Sequence, residues 1–248
     1  EIMGIKIEVI IPSHKRAGRV PTLKAIDNAK ICVPNSQKEE YETAHPDVEI
    51  IGHPDEVVGL TAKRQWIYEQ YPNVLMVDDD IKSFFRVYTE SGEDAKMFPD
   101  EAYEMVQWLG NVAKIMGCYL FGLNKNPSPA QYQEHTPIKR TGYVGGTIGM
   151  LEGSKLYYDT DMQVVEDYQI CALNAYHHRH CFIDTRFAVV GTDTFGNVGG
   201  CASYRTKEVE KNDTLQLRKK YGEIINLKKD TVLATRKHEY MRTLKIPF

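Results

Sequence analysis

Three consecutive carboxylates, Asp78-Asp79-Asp80, close the apolar run Val74-Leu-Met-Val77. Like charges this close repel, and a cation or a basic side chain relieves the repulsion. A hard divalent ion shared between these carboxylates and a diphosphate would do so. The plainer reading is an acidic turn that holds nothing. Arg64 lies four residues after Leu60 and three before Ile67. On a helix this spacing puts its charge along the apolar face, where it needs an anion: the acidic cluster or a phosphate. Alternatively its stem simply snorkels to water. Ile10-Ile-Pro-Ser-His-Lys-Arg16 ends an apolar run in a polar turn. Pro12, Ser13, His14 and Arg16 are therefore candidates for the base and ribose of a nucleotide. Tyr143-Val-Gly-Gly-Thr-Ile-Gly149 offers Gly145 and Gly146 for close backbone approach by a ligand. Glu166-Asp167 either caps a helix or supplies a general base for a hydroxyl nucleophile, and the sequence does not orient the two. Tyr176-His-His-Arg-His180 suits a helix C-terminus without a metal.

These residues need elements to hold them. Glu8–Ile11, Val48–Ile51, Asn73–Val77, Cys118–Leu123, Tyr143–Leu151 and Cys181–Val190 read as strands from their apolar, β-branched runs. Helical spacing is clearest over Asp100–Met116 and is expected near 21–29, 56–71, 165–177 and 206–221. Strands alternating with helices imply a mainly parallel sheet covered on both faces. The acidic triplet then stands where ligands of open α/β sheets bind, beyond the strand C-termini. Residues 124–142 read as a long loop, and Gly191–Ser203 as a second one rich in glycine.

The chain has 248 residues, with 42% apolar and 26% charged, an ordinary globular balance that excludes a disordered chain. That length suits one domain, and no repeat or linker divides it. No apolar run approaches the roughly 20 residues of a membrane helix. The opening residues read as the approach to a strand rather than a signal peptide. Five cysteines at wide spacing, with no C-x-x-C pair, argue against a disulfide framework or zinc ribbon and for a reducing cytoplasm. Residues 205–248 carry a net charge of +6 and residues 1–204 a net of −9. A basic end on an acidic body points to a polyanionic partner, or else to a solvated helix face. Neither a P-loop, a G-x-S-x-G elbow nor a G-x-G-x-x-G fingerprint occurs, which weighs against ATPase, hydrolase and dehydrogenase readings.

Over roughly residues 7–190 the order V-I-I-P-S-H-K-R, L-T-A-K-R-Q, V-D-D-D, G-G and V-V-E-D-Y resembles the GT-A glycosyltransferases, which transfer sugars from nucleotide-sugar donors. The resemblance implies a single Rossmann-like α/β domain with a mainly parallel central sheet flanked by helices. Its donor half would span about 1–123 and its acceptor half about 143–204, with the basic segment at 205–248. It implies that Asp78 and Asp80 fill the DxD role with Mg²⁺ or Mn²⁺, that Asp167 is the base of an inverting enzyme with Glu166 its rival, and that Arg64 faces the nucleotide. I-P-S-H-K-R, L-T-A-K-R and the late G-G-C-A-S-Y-R205 are similar to the TET-associated glycosyltransferases of bacteriophages, linked to sugar transfer onto 5-hydroxymethylpyrimidines such as 5-hydroxymethylcytosine in DNA. UDP-glucose is then the first donor to consider, in a host cytoplasm. Arg205, Lys207, Arg218, Lys219 and Lys220 would meet DNA phosphates. Many GT-A enzymes add a downstream histidine to the metal; His238 is the counterpart to consider here. The competing readings are a glycan, protein or small-molecule acceptor on the same fold, and a catalytically silent domain that binds nucleic acid or another partner.

Overall fold

The computed structural model describes residues 4–89, 95–191, 204–227 and 240–247. Within them, Glu8–Pro12 (β1), Lys30–Pro34 (β2), Lys38–Ala44 (α1), Ile50–His53 (β3), Leu60–Gln70 (α2) and Val74–Val77 (β4) form the first half. Ile81–Arg86 (β5), Pro99–Ile115 (α3), Leu120–Asn124 (β6), Ile138–Lys139 (β7), Thr147–Met150 (β8), Glu166–His177 (α4) and Phe182–Gly191 (β9) follow. Lys207–Tyr221 (α5), Ile225–Leu227 (β10) and Arg242–Leu244 (β11) close the chain.

One sheet has the order β3-β2-β1-β4-β8-β6-β9-β5, with β7 also on β9. β1 to β4 are mutually parallel, and β8 lies antiparallel between β4 and β6. β9 runs with β6, while β5 and β7 oppose it. Six of these nine strands thus share one direction, as the alternating pattern implies. The β1–β4 strands are nearly continuous apolar runs because both faces are covered. Ile7, Val9, Leu75, Val77 and Phe121 pack on one side with α3 residues Ala102, Val106 and Leu109. Ile10, Met76, Ile148 and Met150 pack on the other with Ile67 of α2 and Ile170 of α4.

Several elements differ from the periodicity reading. Residues 21–29 hold only a four-residue 3₁₀ turn, Pro21–Lys24. The helix expected from about residue 56 starts at Leu60, because Gly59 sits at φ 88°, outside the helical region. The strand expected over Tyr143–Leu151 is confined to Thr147–Met150. Gly145 and Gly146 therefore precede the strand, and Gly146 takes φ 75°, which a strand excludes and a side chain disfavours. The stretch 124–142 is not wholly irregular: it contains β7 and a 3₁₀ turn. β2, α1 and β5 arise where no element was expected.

This topology gathers the chemistry at one edge. β1 and β4 end there, and antiparallel β8 starts there, so Pro12, Asp78 and Thr147 lie at one rim. The Asp78 amide donates to the Gly146 carbonyl at 3.0 Å.

Candidate active site

The acidic turn is clasped from below. Buried Thr22 donates its hydroxyl to the Asp78 carbonyl at 2.7 Å and accepts the Ile81 amide at 3.0 Å. One hydroxyl thus closes both sides of the triplet. Thr22→Val removes both bonds and leaves a buried amide and carbonyl unmet. It should lower unfolding free energy by about 2–4 kcal/mol in a denaturant titration, and a change below roughly 0.5 kcal/mol would refute the clasp.

The three carboxylates face different partners. Asp79 is buried and accepts from Ser13 Oγ at 2.7 Å and from Arg16 Nη1 at 2.6 Å. Tyr41 of α1 completes this knot: its hydroxyl shares a 2.9 Å hydrogen bond with Ser13 Oγ and accepts the Arg16 amide at 2.9 Å. Asp79 therefore fixes the turn after β1 to the turn after β4. Pro12 is buried at the end of β1, and half-buried His14 bonds Gln37 at 3.0 Å. Asp78 accepts from Arg64 Nη2 at 2.7 Å. Asp80 is half-buried beside β9, where a Cβ on Gly191 would meet its Oδ1 at 3.7 Å.

Arg64 is 2% exposed, so its charge is fully committed to this site. Besides Asp78, its Nε stands 3.8 Å from Glu166 Oε1. Burial works against its charge, and Asp78, with Tyr158, Glu166 and Asp167, more than offsets that. The snorkelling alternative for Arg64 is thereby excluded. Neighbouring Lys63, also buried, donates to the Ser13 carbonyl.

Asp78, Glu166 and Asp167 gather around the buried Arg64 guanidinium. The Asp78 carboxyl is pushed up to about 6, first by desolvation and then by Asp80, Asp79 and Asp167, with Arg64 pulling the other way. Buried Glu166 rises to about 7, through desolvation and Asp167 against Arg64. Asp167 is half-buried at the first turn of α4, where its Oδ1 accepts the Tyr168 amide at 2.8 Å and its Oδ2 accepts the Tyr143 hydroxyl. β8 delivers Gly146 to the same place: a Cβ on it would stand 3.9 Å from Asp78 Oδ2.

This arrangement, an acidic strand end with a second carboxylate pair across the Arg64 guanidinium, is accompanied by a sequence match. A family model described as TET-Associated Glycosyltransferase matches residues 7–200. The chain belongs to that family. It is thus a member of a glycosyltransferase family, and the match takes in β1, the acidic turn, Arg64, Gly145-Gly146 and Glu166-Asp167. Among solved structures, S. aureus TarS 1-349 is similar at a TM-score of 0.46 and 10% identity, over 86% of this chain and 66% of that one. The chain thus spans less than two thirds of that structure's length. Comparison with curated proteins finds no match.

The chain continues past the matched region into α5, β10 and β11. The basic residues there are unequal. Lys207 and Lys219 are exposed, and Arg218 is half-buried. Arg205 pairs with Glu210 at 3.0 Å, and Lys220 bonds Asp159. Buried Arg242 on β11 pairs with Glu210 at 2.7 Å and stacks on the Tyr168 ring, 4.8 Å from its centroid. This end of the chain therefore braces the first turn of α4 as well as carrying charge. Residues 192–203 and His238 lie outside the described residues. Among the described residues no helix is long and apolar enough to cross a membrane.

Tyr41, Thr22, Lys63 and Tyr143 were not singled out as site residues from the sequence. Lys63 adjoins Arg64 and Tyr143 opens the Gly-Gly motif, but no spacing signals Thr22 or Tyr41.

Proposed function

We propose that this protein is an inverting, metal-dependent glycosyltransferase. It would move a sugar from a nucleotide-sugar donor, UDP-glucose first among candidates, onto the hydroxyl of a 5-hydroxymethylated pyrimidine in DNA. The observation that carries this reading is the convergence of Asp78, Glu166 and Asp167 on buried Arg64 at the rim of the sheet. Family membership supports sugar transfer as its chemistry.

The donor set fits a hard divalent ion. Asp79 is committed to Ser13 and Arg16, and no group of three or more His, Cys, Asp or Glu side chains forms a ready ion site among the described residues. Asp78, one oxygen of which accepts from Arg64, and Asp80 are the carboxylates assigned as ligands, and oxygen donors of this kind suit Mg²⁺ or Mn²⁺. When bound, such an ion supplies positive charge to the diphosphate leaving group.

Asp167 is the more open carboxylate of its pair, whereas Glu166 is buried against Arg64, so Asp167 is assigned as base. It accepts the proton of the acceptor hydroxyl. The acceptor oxygen forms a bond to the anomeric carbon as the bond from that carbon to the diphosphate oxygen breaks. The bonding electrons leave with the nucleoside diphosphate. Arg64 holds Asp78 and Glu166 in place, and Pro12, Ser13, His14 and Arg16, with Gly145 and Gly146, line the donor side.

On the acceptor side, Lys207, Arg218 and Lys219 offer charge to phosphates, while Arg205 and Lys220 are already paired. The modified base would be reached in the major groove or flipped out of the stack. Arg218, Lys219 and Lys220 changed together to Ala should weaken DNA binding without altering donor affinity. Because Asp159 already meets Lys220, the slope of log binding constant against log salt should fall by about two units rather than three. An unchanged slope would remove α5 from the interface. The net charge of −9 over residues 1–204 favours the alternative of a glycan, protein or small-molecule acceptor. Metal-dependent release of nucleotide from nucleotide sugars tests the enzyme reading itself, since a silent binding domain would release none.

A further inference from the structure

The Asp167 carboxylate is held by a residue with no charge of its own. Tyr143 donates its hydroxyl to Asp167 Oδ2 across 24 residues of sequence, while the Tyr168 amide occupies Oδ1. Each carboxylate oxygen thus has one fixed donor. The Tyr143 ring is itself fixed on several sides. Tyr168 packs against it with centroids 4.8 Å apart, and Lys125 Nζ stands 4.3 Å above its face. Next along the chain, the Val144 amide donates to Cys171 Sγ of α4 at 3.2 Å. The ring also folds back over its own chain: a Cβ at Gly145 would collide with the Tyr143 hydroxyl and ring. Gly145 is therefore required for Tyr143 to reach α4, a reason for glycine here apart from any ligand.

We infer that Tyr143 is a positioning residue for the general base, fixing the Asp167 carboxylate so that it faces the acceptor hydroxyl. This inference rests on the reading of Asp167 as the base. Two donors on one carboxylate leave one rotamer, and general-base catalysis depends on such alignment. Burial and the Asp167 charge push the Tyr143 phenol well above its ordinary range, so it remains a donor at every working pH. The other groups facing Asp167 are Asp78, Glu166, Arg64, Arg205, Tyr168 and Cys171.

The test is Tyr143→Phe in the full chain, assayed for transfer alongside Asp167→Asn. Tyr143→Phe keeps the ring and its packing. We expect kcat to fall roughly 10- to 100-fold and donor KM to stay within about twofold. The thermal midpoint should move little. A kcat within about twofold of wild type overturns the inference. So does a loss in which donor KM rises in step with the fall in kcat, since that marks general disturbance. Asp167→Asn separates the two claims: if it remains active, the base reading fails; if it is inactive while Tyr143→Phe is normal, only the positioning role fails.

Discussion

Asp80→Asn should abolish sugar transfer, by on the order of 100-fold or more, and leave the fold intact. The side chain lies at a strand end, half-buried, and is not part of the Thr22 clasp or the Asp79 knot. Its amide isostere would remove one of the two anionic ligands assigned to the proposed metal. Chelator added to wild-type protein should reproduce the loss, and Mn²⁺ or Mg²⁺ should restore it. Asp78→Asn differs, because Asp78 also answers Arg64. There, weaker donor binding should accompany a drop in stability, as a buried guanidinium loses its nearest counter-charge. Near wild-type turnover in Asp80→Asn, or indifference of the wild type to chelator, would contradict a metal on this edge.

Asp167→Asn should remove transfer, by roughly 100- to 10,000-fold, while metal-dependent donor binding survives. Asn retains the size, but its single carbonyl oxygen can accept only one of the two hydrogen bonds that Tyr143 and the Tyr168 amide make to Asp167, and it takes up no proton. Glu166→Gln should behave differently. Glu166 is buried beside Arg64, so its loss should weaken stability and the Asp78 alignment more than the chemistry. Donor affinity read by thermal shift and transfer read by product formation separate the two residues. Full activity in both amide variants would exclude an inverting base on this helix and shift attention to another carboxylate or a retaining mechanism.

The candidate site was legible in the sequence where its residues are local to a strong pattern. Asp78–Asp80 follow a wholly buried strand, and Arg64 interrupts a helical apolar face. Glu166-Asp167 open a helix that is buried without a break from Gln169 to Ala175. Burial of strand and helix writes these patterns into the residue order. Side-chain bonds between distant segments leave no such periodicity. Nothing in Pro21-Thr22 announces that Thr22 closes the acidic turn, and nothing in Tyr143 names Asp167 as its acceptor. Elements were missed for related reasons. α1 buries a single side chain, Tyr41, so it carries no helical stripe. β2 is a short run between Lys30 and Pro34, and β5 mixes exposed Lys82 with buried Ile81 and Phe84. Conversely, the apolar run across Tyr143–Leu151 read as one strand because composition does not reveal φ, and Gly146 breaks it.

The most direct measurement compares two duplexes of identical sequence, one carrying 5-hydroxymethylated pyrimidine and one unmodified. Both are incubated at the same salt with Mn²⁺ and a panel of nucleotide sugars headed by UDP-glucose. Sugar should be transferred to the hydroxymethylated duplex alone, with loss of product in chelator and in Asp167→Asn. No transfer to hydroxymethylated DNA from any donor, alongside transfer to a glycan or a protein, would contradict the assignment of DNA as acceptor.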